Sequence, residues 1–295
     1  PSCVRPALEQ TVWVHGEHSN GSADRAVAFV TSRSTGLPLH SSVPVTVNFH
    51  PDWPAADQVV LGALADDGSY RSQFVTGTSN GGLTAHLGGD RWHWESRMFG
   101  GTYDHGPAED RPVYGALNFR RASVGAAPRF GSAHLRLTAA VLDRTTFCYP
   151  DSYLNPSNFG VASRMGLIAL AEAETGDQDP LDNYVEAHIH GPVQLDRDVE
   201  AIVLDPGHRG TDIEAVARRL PCAVEWHNGF RLTVDTLRRH PGYRGVQYVE
   251  LGVALAVDGI LDTRAVGQAA QSGRYDPQAL KKVWHYLARF GTEST

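Results

Sequence analysis

From residue 183 to residue 190 polar and apolar side chains alternate, so Val185, Ala187 and Ile189 point to one side of a strand and Tyr184, Glu186, His188 and His190 to the other. This spacing predicts a half-buried strand with a chemically loaded face. Gly191 and Pro192 break the run, residues 196–198 make a polar turn, and residues 199–204 (VEAIVL) form a second, more apolar strand expected to pair with the first. The same alternation marks residues 43–50, where Val43, Val45, Val47 and Phe49 oppose Thr46, Asn48 and His50. Residues 113–119 and 131–139 read as a further strand pair, the latter with Ser132, His134, Arg136 and Thr138 on one face.

Between these strands the pattern turns helical. Residues 5–34 predict one or two helices, with Ser22 as a cap, and residues 55–67 a short helix closed by Gly68. Residues 69–110 are rich in glycine and contain one helical stretch, 91–99. Their aromatic and arginine content argues for a functional segment, since disordered segments are poor in aromatics. Residues 143–159 read as a loop, 161–174 as a helix, and Thr211 with Glu214 as a capping box opening a helix to about Leu220. Residues 222–227 predict a strand, residues 230–235 are a candidate for another, and the chain is helical from about Gly245 onward. Adjacent strands between helices argue for an α+β fold with an antiparallel or mixed sheet. The expected division is an N-terminal helical segment (1–42), an α+β core (43–235) and a C-terminal helical extension (236–295).

Composition narrows the function classes. A formal net charge of -7 with mixed signs gives no global basic field for coating nucleic acid or anionic membrane. The longest apolar stretch, 249–260, falls short of the ~20 apolar residues of a membrane helix, so no membrane partner is expected. Three dispersed cysteines argue against a disulfide scaffold. With no visible signal peptide, a cytoplasmic protein is expected, secretion as an effector staying open. Lys281 and Lys282 are the only lysines; codon bias is the simplest reading, since arginine serves equally on most solvated surfaces.

The strand carrying Glu186, its short turn and the following VEAIVL strand resemble the back half of an ADP-ribosyltransferase fold. The longer phrases YRSQFVTGTSNGGLTAH, RPVYGALNF, FGSAHLRL and YVEAHIHGPV are similar to a family of bacterial proteins of unknown function, over about residues 43–231. The transferase resemblance implies a split antiparallel or mixed sheet core with flanking helices, NAD as substrate, and an enzyme of the glycosyltransferase type, in bacteria often toxin-like. It implies one glutamate, here Glu186, with an arginine or histidine on an early strand (Arg71 or His50) and a serine or tyrosine on a middle one (Ser132 or Tyr114). A carboxylate beside the ribose would stabilise the cation that develops as nicotinamide leaves. The acceptor, whether protein, nucleic acid, small molecule or water, stays open.

The loop TGTSNGGL, with Gly77, Ser79, Asn80 and Gly81, could let backbone approach a dinucleotide, and Arg71 could pair with its pyrophosphate. Rossmann and Walker glycine motifs are absent. Each residue also has a purely structural reading: Glu186 as an ion-paired strand residue, Arg71 as a surface arginine, His50 as a strand-end residue bonded to a turn, and Ser132 and Tyr114 as ordinary strand residues. A second class uses Glu186, His188 and His190, about 6.5–7 Å apart at alternate positions, as metal ligands with His50, His134 or His208 as another, in a hydrolase or oxygenase. A third class is a non-catalytic binding module.

Overall fold

The alternating segments assemble into one eight-stranded sheet in the computed structural model, which describes residues 21–77, 85–176 and 178–291. In chain order the strands are β1 (Val45–Phe49), β2 (Val113–Leu117), β3 (Ala133–Leu137), β4 (Thr145–Tyr149), β5 (Asn158–Val161), β6 (Glu186–Ile189), β7 (Val199–Leu204) and β8 (Ala223–Trp226). Across the sheet they lie β8-β7-β3-β1-β2-β6-β4-β5, and every neighbouring pair is antiparallel except β7 with β8. Ten α-helices accompany them among the described residues: α1 (Ser22–Thr31), α2 (Val60–Asp67), α3 (Gln73–Thr76), α4 (Asp90–Met98), α5 (Leu167–Ala173), α6 (Asp212–Ala217), α7 (Val234–Arg238), α8 (Val246–Leu255), α9 (Thr263–Gln271) and α10 (Pro277–Phe290). The fold is therefore α+β with a mixed sheet and a helical C-terminal part. None of the described helices is long and apolar enough to cross a membrane.

The period-2 pattern sorts the sheet into two unlike faces. On one, Val47, Phe49, Leu117, Leu135, Phe147 and Ile189 meet Leu61 and Leu64 of α2, Leu167 of α5 and Ile213 of α6 in the main core. Each fully buried side chain of this size contributes ~1.5–3 kcal/mol relative to exposure. The other face carries the polar alternates, and strand register sets them in rows. Glu186 lies opposite Ala116 and Cys148, His188 opposite Tyr114 and Thr146, and Asn48 opposite His134.

Three covers bury this polar face. Helix α1 packs Ala26 and Val30, and α4 with its C-cap packs Met98 and Phe99, over the β4–β5 end. The segment 119–131 crosses the middle, where Ala126 N donates to Thr46 Oγ1, Ala127 N to Asn48 Oδ1, and Asn48 Nδ2 to Val124 O. The C-terminal helices close the rest: Gln271 Nε2 donates to Asp52 O, and Trp284 Nε1 to Pro128 O.

Several expectations need correction. The strand 183–190 is not half-buried: all four residues of β6 are buried, because Arg91 of α4 and Phe99 and Tyr103 just after it roof its polar side. The two strand pairs read from sequence proximity are not paired. Strand β6 lies between β2 and β4, and β7 between β3 and β8, while β1 separates β2 from β3. Residues 143–159 hold β4 and the start of β5, and residues 161–174 end that strand before α5 begins at Leu167. Helix α2 begins only after a tight pairing of Pro54–Ala55 with Gln58–Val59. Residues 231–233 do extend, pairing with Ile260–Asp262 inside the stretch read as helical. The capping box is altered: Glu214 Oε2 accepts from Gly210 N, and Thr211 Oγ1 donates to His208 O. Of the N-terminal helices, α1 is present, and residues 5–20 lie outside the described residues.

Candidate functional site

The segment 119–131 divides the polar sheet face into two clusters. The first surrounds Glu186, which is 7% exposed. Its Oε1 lies 2.9 Å from His188 Nε2, 3.3 Å from the Ser152 backbone N–H and 3.8 Å from Cys148 Sγ. Burial by itself raises the pKa of such a carboxyl. The His188 hydrogen bond and charge, then Arg91 and the Ser152 contact, overcome that and hold Glu186 below the usual carboxylate range. Burial, then the adjoining Glu186 and Asp151, pushes the Cys148 thiol well up, so it sits there protonated.

Helix α4 supplies the roof chemistry. Arg91 and Glu95 are four residues apart on its buried side. Glu95 accepts from Arg111 Nη1 at 2.6 Å and from Tyr114 Oη at 3.1 Å. Burial raises its carboxyl to about 7 against the opposing pull of Arg111. The Arg91 guanidinium stacks 4.0 Å over the Tyr114 ring, and its buried Nε and Nη1 have no hydrogen-bond partner. An uncompensated buried guanidinium nitrogen is costly, and an anionic or carbonyl oxygen is what would satisfy it. Both His190 ring nitrogens are occupied, Nδ1 by Tyr103 Oη at 2.7 Å and Nε2 by Thr146 Oγ1 at 3.1 Å. A cleft of about 260 Å³ lies beside this cluster, lined by Arg33, Trp94, Arg97, Met98 and Ser152 among others; of the groups around Glu186 only Ser152 lines it.

The second cluster gathers His50, Asp52, Ser132, His134, Asp205, His208 and His227, all buried. His227 Nδ1 accepts from Gly229 N and its Nε2 donates to Ser132 O, which makes the ring the neutral tautomer. Asp205 accepts from Gly207 N, Phe230 N and Thr263 Oγ1. Burial pushes His50 and His134 down to about 3 and His208 to about 4, with neighbouring histidines adding to the shift at each. Asp52 goes the other way, to about 7, through burial and the Asp205 charge against a bond to its own backbone.

The sequence candidates thus separate. Glu186, His188 and Tyr114 come together, with His190 one row further along β6. Ser132, His50, His134 and His208 share the sheet face but lie in the second cluster. Arg71 is exposed and pairs with Asp67, outside both clusters. Gly77 ends α3 with a left-handed φ of 64°. Ser79, Asn80 and Gly81 lie outside the described residues. Sequence reasoning missed Cys148, because β4 reads as loop, and gave no role to Arg91, Glu95 and Arg111. The i, i+4 pair inside RWHWESRMF was a legible signal for the first two.

Cys148 Sγ, Glu186 Oε1 and His188 Nε2 are the one group of three metal-capable donors within 4.8 Å of one another among the described residues. His190, engaged by Tyr103 and Thr146, is not part of it. No curated protein matches the sequence. A family described as "Protein of unknown function (DUF3626)" matches over residues 44–174 and 161–290, more than half of the chain, and the protein belongs to that family.

Proposed function

We propose that this protein cleaves the nicotinamide–ribose bond of NAD and passes ADP-ribose to an acceptor or to water, with Glu186 as its central carboxylate. The observation that carries this reading is a buried glutamate kept ionised beside Tyr114 and a guanidinium with unpartnered nitrogens. In support, Tyr114 and Glu186 lie on the paired strands β2 and β6, while His50, at the end of β1, stands in the second cluster and takes no part in this site. The split sheet core of the transferases is the finer fold that this reading adopts.

As the bond breaks, its electron pair leaves with nicotinamide and the ribose carbon becomes cationic. Glu186 provides a fixed negative charge where that cation develops, in surroundings drier than water, and His188 and Ser152 hold its orientation. The same carboxylate orients an incoming hydroxyl or water and accepts its proton. Arg91 offers its unpartnered nitrogens to an oxygen of the substrate. The cleft of about 260 Å³ is smaller than the ~300–1,000 Å³ of most ligand sites, so entry requires the α4 side to yield.

The test is nicotinamide release by the purified protein, with and without EDTA, beside Glu186→Gln. The expected result is metal-independent release, reduced ~10²–10³-fold in the variant. No release and no NAD binding would refute the reading.

A second reading rests on the Cys148, Glu186 and His188 donors. Their mutual separations of 2.9–3.8 Å suit one zinc-sized ion after loss of the thiol proton. Stoichiometric metal in the purified protein, lost in Cys148→Ser, would favour a metal-dependent enzyme instead.

A further inference from the structure

The two lysines of the chain fall next to each other on α10, and the structure surrounds them with more positive charge. Arg129 reaches in from the segment 119–131, Arg244 from the turn before α8, and Arg289 lies two turns further along α10. Five cations therefore meet two carboxylates, Asp179 and Asp182, and both carboxylates are already used. Asp179 accepts from Arg244 Nη2 at 2.6 Å and Tyr243 Oη at 2.5 Å, with Arg289 at 3.8 Å, and Asp182 is taken by Arg129. Neither lysine ammonium forms a salt bridge among the described residues.

One turn further along α10 lies His285, 1% exposed, with neither ring nitrogen hydrogen-bonded. Burial, followed by the charges of Arg129, Arg244, Lys281 and Lys282, holds that ring far below its ordinary pKa. The same crowding, after burial, lowers Lys281 to about 8. The Nε atoms of Arg129 and Arg244 are also buried and unpartnered. In a protein of net charge -7, gathering these groups opposes folding unless something negative completes them. Arg129 and Arg244 remain about one-fifth exposed at their side chains, so the patch is open to solvent.

We propose that this patch binds the phosphoryl group of an anionic ligand, with Lys281, Lys282, Arg129 and Arg244 as its cationic partners and His285 as a neutral hydrogen-bonding group. Guanidinium and ammonium groups converging from three chain segments match a tetrahedral anion with several acceptor oxygens. The source is either the pyrophosphate of a dinucleotide or the phosphate of a separate acceptor. The site stands on its own residues and does not depend on Glu186.

The experiment is calorimetric titration of the full chain with inorganic pyrophosphate, repeated on Lys281→Gln/Lys282→Gln and on Glu186→Gln. Glutamine keeps helix propensity and the lysines make no salt bridge, so α10 is retained, and a thermal melt verifies it. Saturable binding that weakens with salt, falls ~10-fold or more in the double variant and is unchanged in Glu186→Gln is expected. Competition by NAD would assign the phosphoryl group to a dinucleotide; absence of competition would assign it to a separate phosphorylated ligand. No saturable binding of pyrophosphate, or equal affinity in the double variant, overturns the proposal, whatever the outcome of the nicotinamide assay.

Discussion

Glu186 and Asp52 are both buried carboxylates beside the polar face of one sheet, yet their surroundings push them in opposite directions. Around Glu186 an imidazole, a backbone N–H and the Arg91 guanidinium favour the charged form. Asp52 has a like-charged neighbour in Asp205, rests its carboxylate against the backbone of α9 at Gly267, where a Cβ would have no room, and leaves Oδ1 unpartnered. Its histidine neighbours are neutral through burial. Burial alone therefore says little about charge; the donors that accompany it decide. At Glu186 the donors hold a charge in place; at Asp52 and the histidines beside it the neutral form is favoured.

Breaking the Glu95–Arg111 pair should separate the two clusters most sharply. Arg111→Ala leaves Glu95 buried without its main cation and should cost about 3–5 kcal/mol of stability, read as a fall in the denaturation midpoint. Loss of less than 1 kcal/mol would show that Glu95 is neutral and that the first cluster is not built on charge.

Acid should act on the second cluster through three histidines and one carboxyl. His50, His134 and His208 have folded pKa values below the unfolded 6.5, so the unfolded state takes up their protons first and stability is lost as pH falls through 6.5. Asp52 opposes this: its folded pKa near 7 exceeds its unfolded 3.8, so it favours folding increasingly as pH drops. These four groups alone leave a net loss of about 3 kcal/mol between pH 6.5 and pH 5, which the lowered His190, His227 and His285 enlarge and the raised Glu95 reduces. Denaturation midpoints across that window provide the check, and Asp52→Asn should steepen the fall by removing the opposing group.

A smaller effect tests the role of Arg91. Arg91→Lys retains the charge but not the planar donors, and should reduce nicotinamide release ~10-fold with little change in melting temperature. The smallest effect belongs to the tie between the C-terminal helices and the core. Thr263→Val removes one donor to Asp205 and should cost about 1 kcal/mol, measured by chemical denaturation.

Much of this arrangement is legible in the order of the residues. Alternation places Glu186, His188 and His190 on one side of β6, and Thr46, Asn48 and His50 on one side of β1, because side-chain direction follows strand period alone. Strand neighbours are not legible: β1 inserts between β2 and β3, and no local turn chemistry encodes a pairing across so many residues. The burial of β6 is hidden for a related reason. Its polar side chains look solvent-facing until α4 brings Arg91 and Glu95 over them. Cys148 escapes because β4 is buried on both faces, and such a strand has no polar alternation to reveal it.

The segment 119–131 is fastened to Thr46 and Asn48 of β1, and at Gly125, with φ of 85°, it approaches Asn48 too closely for a side chain. Standing between the two clusters, it makes them energetically separable. Substitutions at Glu95 or Arg111 and substitutions at His134 or Asp52 should add in double-mutant cycles to within about 0.5 kcal/mol. A change at Asn48, which braces that partition, should be the one that couples to both.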